Sequence, residues 1–221
     1  MSALSAKVLF SLFAQCAPDV APETLNSLVN VESGGNPYAI AVVYDKSVDK
    51  KDKFLFEQPS TELEALNIIK ELQNQSKHKS FSVGLMQVNS INFKTYGLTN
   101  DNMFNACKNI EAGAEIFKAC YFLAQKNNPN TNEQNLLRIA SSCYYSGNEM
   151  TGFKVENNGK SYVNRINDSV AKVYTVPAIK PLNETEIKSS VFITQENDFK
   201  PQDAPSIKVK SWDVFEDYPS N

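Results

Sequence analysis

The sequence predicts a mainly α-helical α+β domain over residues 1–175, with a small hairpin or ordered loop, and a largely disordered acidic tail over residues 176–221. Three observations predict it. Five segments after residue 20 repeat apolar residues at three- and four-residue spacing, which puts those residues on one helix face. Between the first two lies AIAVVYDKSVDKKDKFLFEQP, which alternates, is rich in Val and Phe and carries a charged tip from Asp49 to Lys53; this reads as a short β-hairpin or an ordered loop. Beyond Val176 the composition changes, with five prolines, few apolar residues and five Lys against eight Asp plus Glu. Burial in such a segment cannot offset the entropy of ordering it.

The elements follow in order. MSALSAKVLFSLFAQCAP has two readings. Leu4, Val8 and Phe13 can lie on a first helix packed on the core, or Val8 to Ala14 can be a short signal-peptide core that Ser11 interrupts. The helix is the reading adopted here. PETLNSLVNVES is a helix with Pro22 and Glu23 in its first turn, where a proline and an acid are favoured. Its apolar stripe runs Leu25, Leu28, Val29 and then meets Glu32, after which Ser33 and two glycines end the helix. A carboxylate at that position is poorly solvated, and desolvation raises its pKa. It is either a general acid near neutral pH or a surface residue that snorkels.

STELEALNIIKELQNQ is a helix opened by a capping box from Thr61 to Glu64. SFSVGLMQVNSINFKTYG has no helical period and contains Gly84; it reads as a loop opening onto a short helix. NACKNIEAGAEIFKACYFLAQK is a long helix whose stripe is Cys107, Ile110, Ala114, Phe117 and Tyr121, with Gly113 letting another element approach closely. NEQNLLRIASSCYYSGN buries Leu136, Ala140, Cys143 and Tyr144 and stops at Gly147. SYVNRINDSVAKVY turns Val163, Ile166, Val170 and Val173 inward. In the tail, VFITQ fits an added strand. Trp212, Phe215 and Tyr218 form an aromatic cluster, either a docking motif or an idle terminus.

Composition excludes several classes. The 221 residues are 42% hydrophobic, enough for one full core. The net charge is −3 with Lys and Arg scattered, so the basic stripe that nucleic-acid binding needs is missing. No apolar run approaches the ~20 residues of a membrane span. Cys16, Cys107, Cys120 and Cys143 have no CxxC spacing, and the only histidine, His78, lies between lysines. This argues against zinc and reads His78 as a solvated loop residue. Two disulfides would imply an oxidising compartment. Cys107 and Cys120 fall thirteen residues apart in one helix, ~20 Å at 1.5 Å per residue, too far to pair. Cys16–Cys107 with Cys120–Cys143, or Cys16–Cys120 with Cys107–Cys143, remain. No phosphate loop, nucleotide motif or metal spacing is present, so no cofactor is expected.

Four segments now line up: VESGGNP, VGLMQVN, CYYSGN and GKSYVNRI, with CAPDVAPETL before them and CKNIEAGAEIF between them. This pattern, from about Ala14 to Tyr174, resembles the lysozyme-like soluble-lytic-transglycosylase family, closest to the VirB1-type members of type IV secretion systems. The resemblance implies a lysozyme-like fold and cleavage of the β-1,4 bond between N-acetylmuramic acid and N-acetylglucosamine in peptidoglycan. It implies a periplasmic or cell-envelope location and glycan strands as substrate. The tail lies outside the resemblance, and type IV secretion components are the partners expected through it. Glu32 corresponds to the catalytic glutamate, used first as acid and then as base so that a 1,6-anhydro ring closes. Ser33, Ser82, Gln87, Asn89, Tyr144 and Tyr162 correspond to substrate-binding positions. Met86 packs beside Gln87. The family motif has asparagine where this chain has Tyr145, so no role passes to Tyr145. A hydrolytic muramidase and a non-cutting peptidoglycan-binding scaffold are the alternatives.

Overall fold

The computed structural model describes residues 3–75 and 77–173. The expectations for residues 176–221, namely disorder, the VFITQ strand and the Trp212 cluster, lie outside the described residues, as does the side chain of Val173.

Among the described residues the fold has six α-helices and a small three-stranded antiparallel sheet, the lysozyme-like α+β arrangement expected. Helix α1 (Ala6–Cys16) buries Leu9 and Phe13. The helical reading of this segment therefore holds, but Val8 is 45% exposed and lies off the packed face. Helix α2 (Pro22–Glu32) buries Leu25, Leu28 and Val29 completely. Strand β1 (Ile40–Tyr44) follows. Helix α3 (Glu62–Gln75) opens on the predicted capping box: Thr61 Oγ1 accepts from the Glu64 amide, and the Glu64 carboxylate accepts from the Thr61 and Ser60 amides.

Of the hairpin and the ordered loop offered for the segment after β1, the ordered loop holds: residues 54–57 do not return to β1 as a strand. Their contact is through side chains, with Gln58 bonding both the amide and the carbonyl of Ile40 and the Tyr44 hydroxyl accepting from the Phe54 amide. The strand that pairs with β1 is β2 (His78–Val83), in antiparallel register Ile40↔Val83 and Val42↔Phe81. The segment expected as a loop is thus β2, a tight turn at residues 84–87, and β3 (Val88–Asn89), which pairs back on β2. Its irregular inside–outside pattern hid the strand. His78 accordingly sits in a strand, partly buried with its ring 5.7 Å from that of Phe81, and not in a solvated loop.

Helix α4 (Ala106–Asn127), helix α5 (Glu133–Ser146) and helix α6 (Tyr162–Val173) complete the domain. Ile110, Ala114, Phe117, Leu136, Ala140, Cys143, Val163 and Ile166 are buried as their spacing predicts, whereas Cys107, Tyr121 and Val170 are only partly so. Helix α5 stops at Gly147. Of the two pairings left open, the chain adopts Cys16–Cys107 and Cys120–Cys143. The first ties the end of α1 to the start of α4, and the second ties the middle of α4 to α5.

One core joins α1, α2, α4, α5 and α6, and a second joins the sheet to α3 through Ile40, Ile69, Leu72, Phe81 and Met103. The 84–87 turn belongs to the seam between them. A Cβ added at Gly113 of α4 would overlap the Cβ and Cγ of Met86, so the missing side chain is what lets the turn rest on the helix. Gly113→Ala is expected to cost about 1–3 kcal/mol by overpacking and to displace Met86. Thermal unfolding checks the first, and a shift of the Met86 methyl resonance in NMR at a temperature where the variant stays folded checks the second.

Candidate active site

Glu32 is the last residue of α2. Ser33 closes the helix: its hydroxyl donates to the Val29 carbonyl and accepts from the Gly35 amide. Gly34 and Gly35 then carry the chain away in left-handed backbone. The glutamate thus projects from a helix end into a cleft of about 210 Å³ lined by β1, β2, the 84–87 turn, α4 and α5.

Glu32 is half-buried, open enough to meet a ligand, and its carboxyl is crowded by protein. Desolvation raises its pKa to about 7, against the opposing pull of a hydrogen bond from Tyr162 and the charge of Arg165. The Tyr162 hydroxyl donates to Glu32 Oε1. Burial, and next the adjoining carboxylate, push the Tyr162 phenol well above its ordinary value, so it remains a donor whenever Glu32 ionises.

The 84–87 turn forms another wall. Gly84 has φ +77°, and a Cβ there would strike the side chain of Asn109. Asn109, buried on α4, donates to the Val83 and Met103 carbonyls and accepts from the Met86 amide at 2.8 Å. The Met86 carbonyl accepts from the Tyr144 hydroxyl at 2.5 Å. These bonds hold Gln87 at φ +46°, left-handed backbone that is uncommon for a residue with a side chain. Its amide nitrogen donates to the carbonyls of Ala39 and Gly84, so the amide oxygen is the group it can offer a ligand.

The structure brings Glu32, Ser82, Gln87, Asn89 and Tyr144 together on the cleft. Asn89 donates to Ser82 and Ser80 across the β2–β3 pair. Two expected residues stand elsewhere. Ser33 is occupied in ending α2. Tyr162 is 1% exposed and does not line the cleft; its hydroxyl reaches Glu32 instead. Sequence reasoning missed Asn109, Asn92 and Ile116, and also a chain of side chains leading away from the cleft: Tyr145, on the cleft, bonds Glu156, Glu156 bonds Arg165, and Arg165 lies over the Tyr162 ring. Arg165 falls three residues after Tyr162 on α6, a helical signal that was present; Glu156 lies in a loop and gave none. Among the described residues no group of three or more His, Cys, Asp or Glu side chains is placed to hold a metal ion.

A helical body, a small sheet and a cleft between them with one glutamate at a helix end define a lysozyme-like domain. The chain belongs to the transglycosylase SLT domain family, whose model matches residues 10–167. It is 42% identical over 168 residues to the type IV secretion system protein virB1 of Brucella abortus, covering 76% of this chain and 66% of that protein. It is 42% identical over 172 residues to the virB1 protein of Brucella suis, covering 77% and 67%. It is 31% identical over 178 residues to protein virB1 of Agrobacterium fabrum, covering 80% and 65%. The chain thus spans about two thirds of the length of these relatives. No solved structure matches it.

Proposed function

We propose that the protein is a peptidoglycan lytic transglycosylase of the cell envelope that opens the wall locally for a type IV secretion system. The observation that carries this reading is the cleft's charge pattern. Glu32, with its pKa near 7, is the one carboxylate among the lining residues; Ser82, Gln87, Asn89, Asn92, Tyr144 and Tyr145 supply only neutral polar groups. Cutting a glycosidic bond needs a proton on the leaving oxygen, and ordinary glycosidases add a second carboxylate to attack or to activate water. A cleft with one acid fits a mechanism that uses it twice.

Glu32, whose pKa of about 7 leaves a large share of it protonated near neutral pH, donates to the bridging oxygen as the C1–O bond breaks. The carboxylate so formed is steadied by the Tyr162 hydroxyl and the Arg165 charge. The substrate's own N-acetyl oxygen supports the cationic sugar. Glu32 then takes the proton from the 6-hydroxyl as that oxygen bonds C1, closing the 1,6-anhydro ring and restoring the acid. The two disulfides fit an oxidising compartment such as the periplasm. Relatives named for type IV secretion support that assignment, with the tail as the contact to other components.

Digestion of purified peptidoglycan followed by mass spectrometry of the muropeptides tests the reaction. Products with 1,6-anhydro ends are expected. Reducing ends alone would make the enzyme a hydrolytic muramidase, and binding without cutting would favour the scaffold reading. A narrower test concerns Tyr162. Tyr162→Phe removes a donor to the Glu32 carboxylate, which raises the pKa of that acid further. Activity requires Glu32 protonated at the start of each cycle, so the alkaline limb of kcat should move to higher pH. Lost positioning should lower kcat by roughly ten- to a hundredfold. An unmoved limb would show that the hydroxyl does not serve the carboxylate.

A further inference from the structure

Tyr145 is 44% exposed and lies on the cleft beside Glu32, and it is held on two sides. One face of its ring stacks on the buried ring of Tyr162, with centroids 4.5 Å apart and planes 15° from parallel. Its hydroxyl donates to Glu156 Oε1 at 2.6 Å. Glu156 is itself fixed, because its other oxygen accepts from Arg165 at 3.1 Å, and the Arg165 guanidinium lies over the Tyr162 ring at 5.4 Å. Stacking sets the plane of the Tyr145 ring and the hydrogen bond sets its rotation. What remains is one aromatic face, fixed in place and open to a cleft whose other polar groups bind hydroxyls and amides. A pyranose in a β-linked glycan has the complementary surface, with its C–H bonds gathered on one face.

Resting on the reading of the cleft as a glycan site, the geometry points to Tyr145 as an aromatic platform that binds one sugar ring of the glycan next to the Glu32 carboxyl. The Glu156–Arg165 pair keeps that platform in register. The platform biases the site toward rings that can lay a C–H face against it. Its contribution is to binding and not to proton transfer, because Tyr145 bonds Glu156 and leaves the Tyr162–Glu32 bond to Tyr162.

The test measures kcat, KM and the pH profile of the full chain on solubilised peptidoglycan strands, for the unaltered protein and for Tyr145→Ala and Tyr145→Phe. Loss of the ring in Tyr145→Ala should raise KM about tenfold, with the alkaline limb of kcat unmoved. Tyr145→Phe keeps the ring, loses only the hydroxyl's bond to Glu156, and should raise KM less than about threefold. An unchanged KM in Tyr145→Ala overturns the proposal. So does a shifted pH limb with KM unchanged, which would make Tyr145 a buttress for Tyr162. If the unaltered protein neither binds nor cuts the strands, the glycan reading of the cleft falls and the platform with it. If the unaltered protein cuts normally and Tyr145→Ala matches it, only the platform falls.

Discussion

Glu32→Gln should abolish strand cutting, with kcat down by at least roughly 10³-fold, while binding to purified sacculi stays within about threefold. Glutamine matches the shape of glutamate, and its amide oxygen can still accept from the Tyr162 hydroxyl, so the cleft keeps its form. It cannot release a proton to a leaving oxygen, and general acid catalysis of this kind contributes about 10²–10⁴-fold. The same variant should gain stability, with a definite sign against pH. The Glu32 pKa rises from 4.5 to about 7 on folding, so the folded chain holds the proton more tightly than the unfolded one. Stability from this group is therefore fully present below pH 4.5 and declines as pH rises through about 7. A 2.5-unit difference is on the order of 3 kcal/mol, most of which glutamine should restore at alkaline pH. Thermal unfolding of the two proteins should coincide near pH 4, and at pH 8 the variant should melt several degrees higher. Parallel curves across that range would mean that Glu32 is not held under desolvation strain.

Removing Cys16–Cys107 should be the most destabilising change among the cysteines. The bridge spans 91 residues of sequence, against 23 for Cys120–Cys143. On a loop-closure argument the longer one contributes about 4–5 kcal/mol and the shorter about 3–4 kcal/mol. It also anchors the start of α4 two residues before Asn109, which holds the 84–87 turn. The double variant Cys16→Ala/Cys107→Ala should unfold at lower temperature and lower denaturant than Cys120→Ala/Cys143→Ala. The reverse order would show that residual structure in the unfolded chain, and not loop length, governs both bridges.

The parts legible in the sequence were those that repeat locally. Each of the later helices was marked by its apolar stripe, α3 also by its capping box, and Glu32 by standing at the end of such a stripe beside a double glycine. The sheet was harder because its information is not local. Strand β1 pairs with a segment nearly forty residues on, and β3 has only two residues. Tyr162 illustrates the limit at the site. Its position in a motif was readable, but whether its hydroxyl faced a ligand or the glutamate depended on how α6 packs beside α2. Asn109 was invisible for the same reason, since an asparagine in the second turn of a helix usually signals nothing until a chain turn is found pressed against it.

The clamped Met86 has a consequence for anyone wishing to retarget the cleft. Its amide and carbonyl are both engaged by neighbouring helices and its side chain lies against a glycine, so the wall that carries Gln87 is cast before any guest arrives. Docking then spends little on ordering that wall. New selectivity would have to be cut into the rim, leaving the mould beneath it untouched.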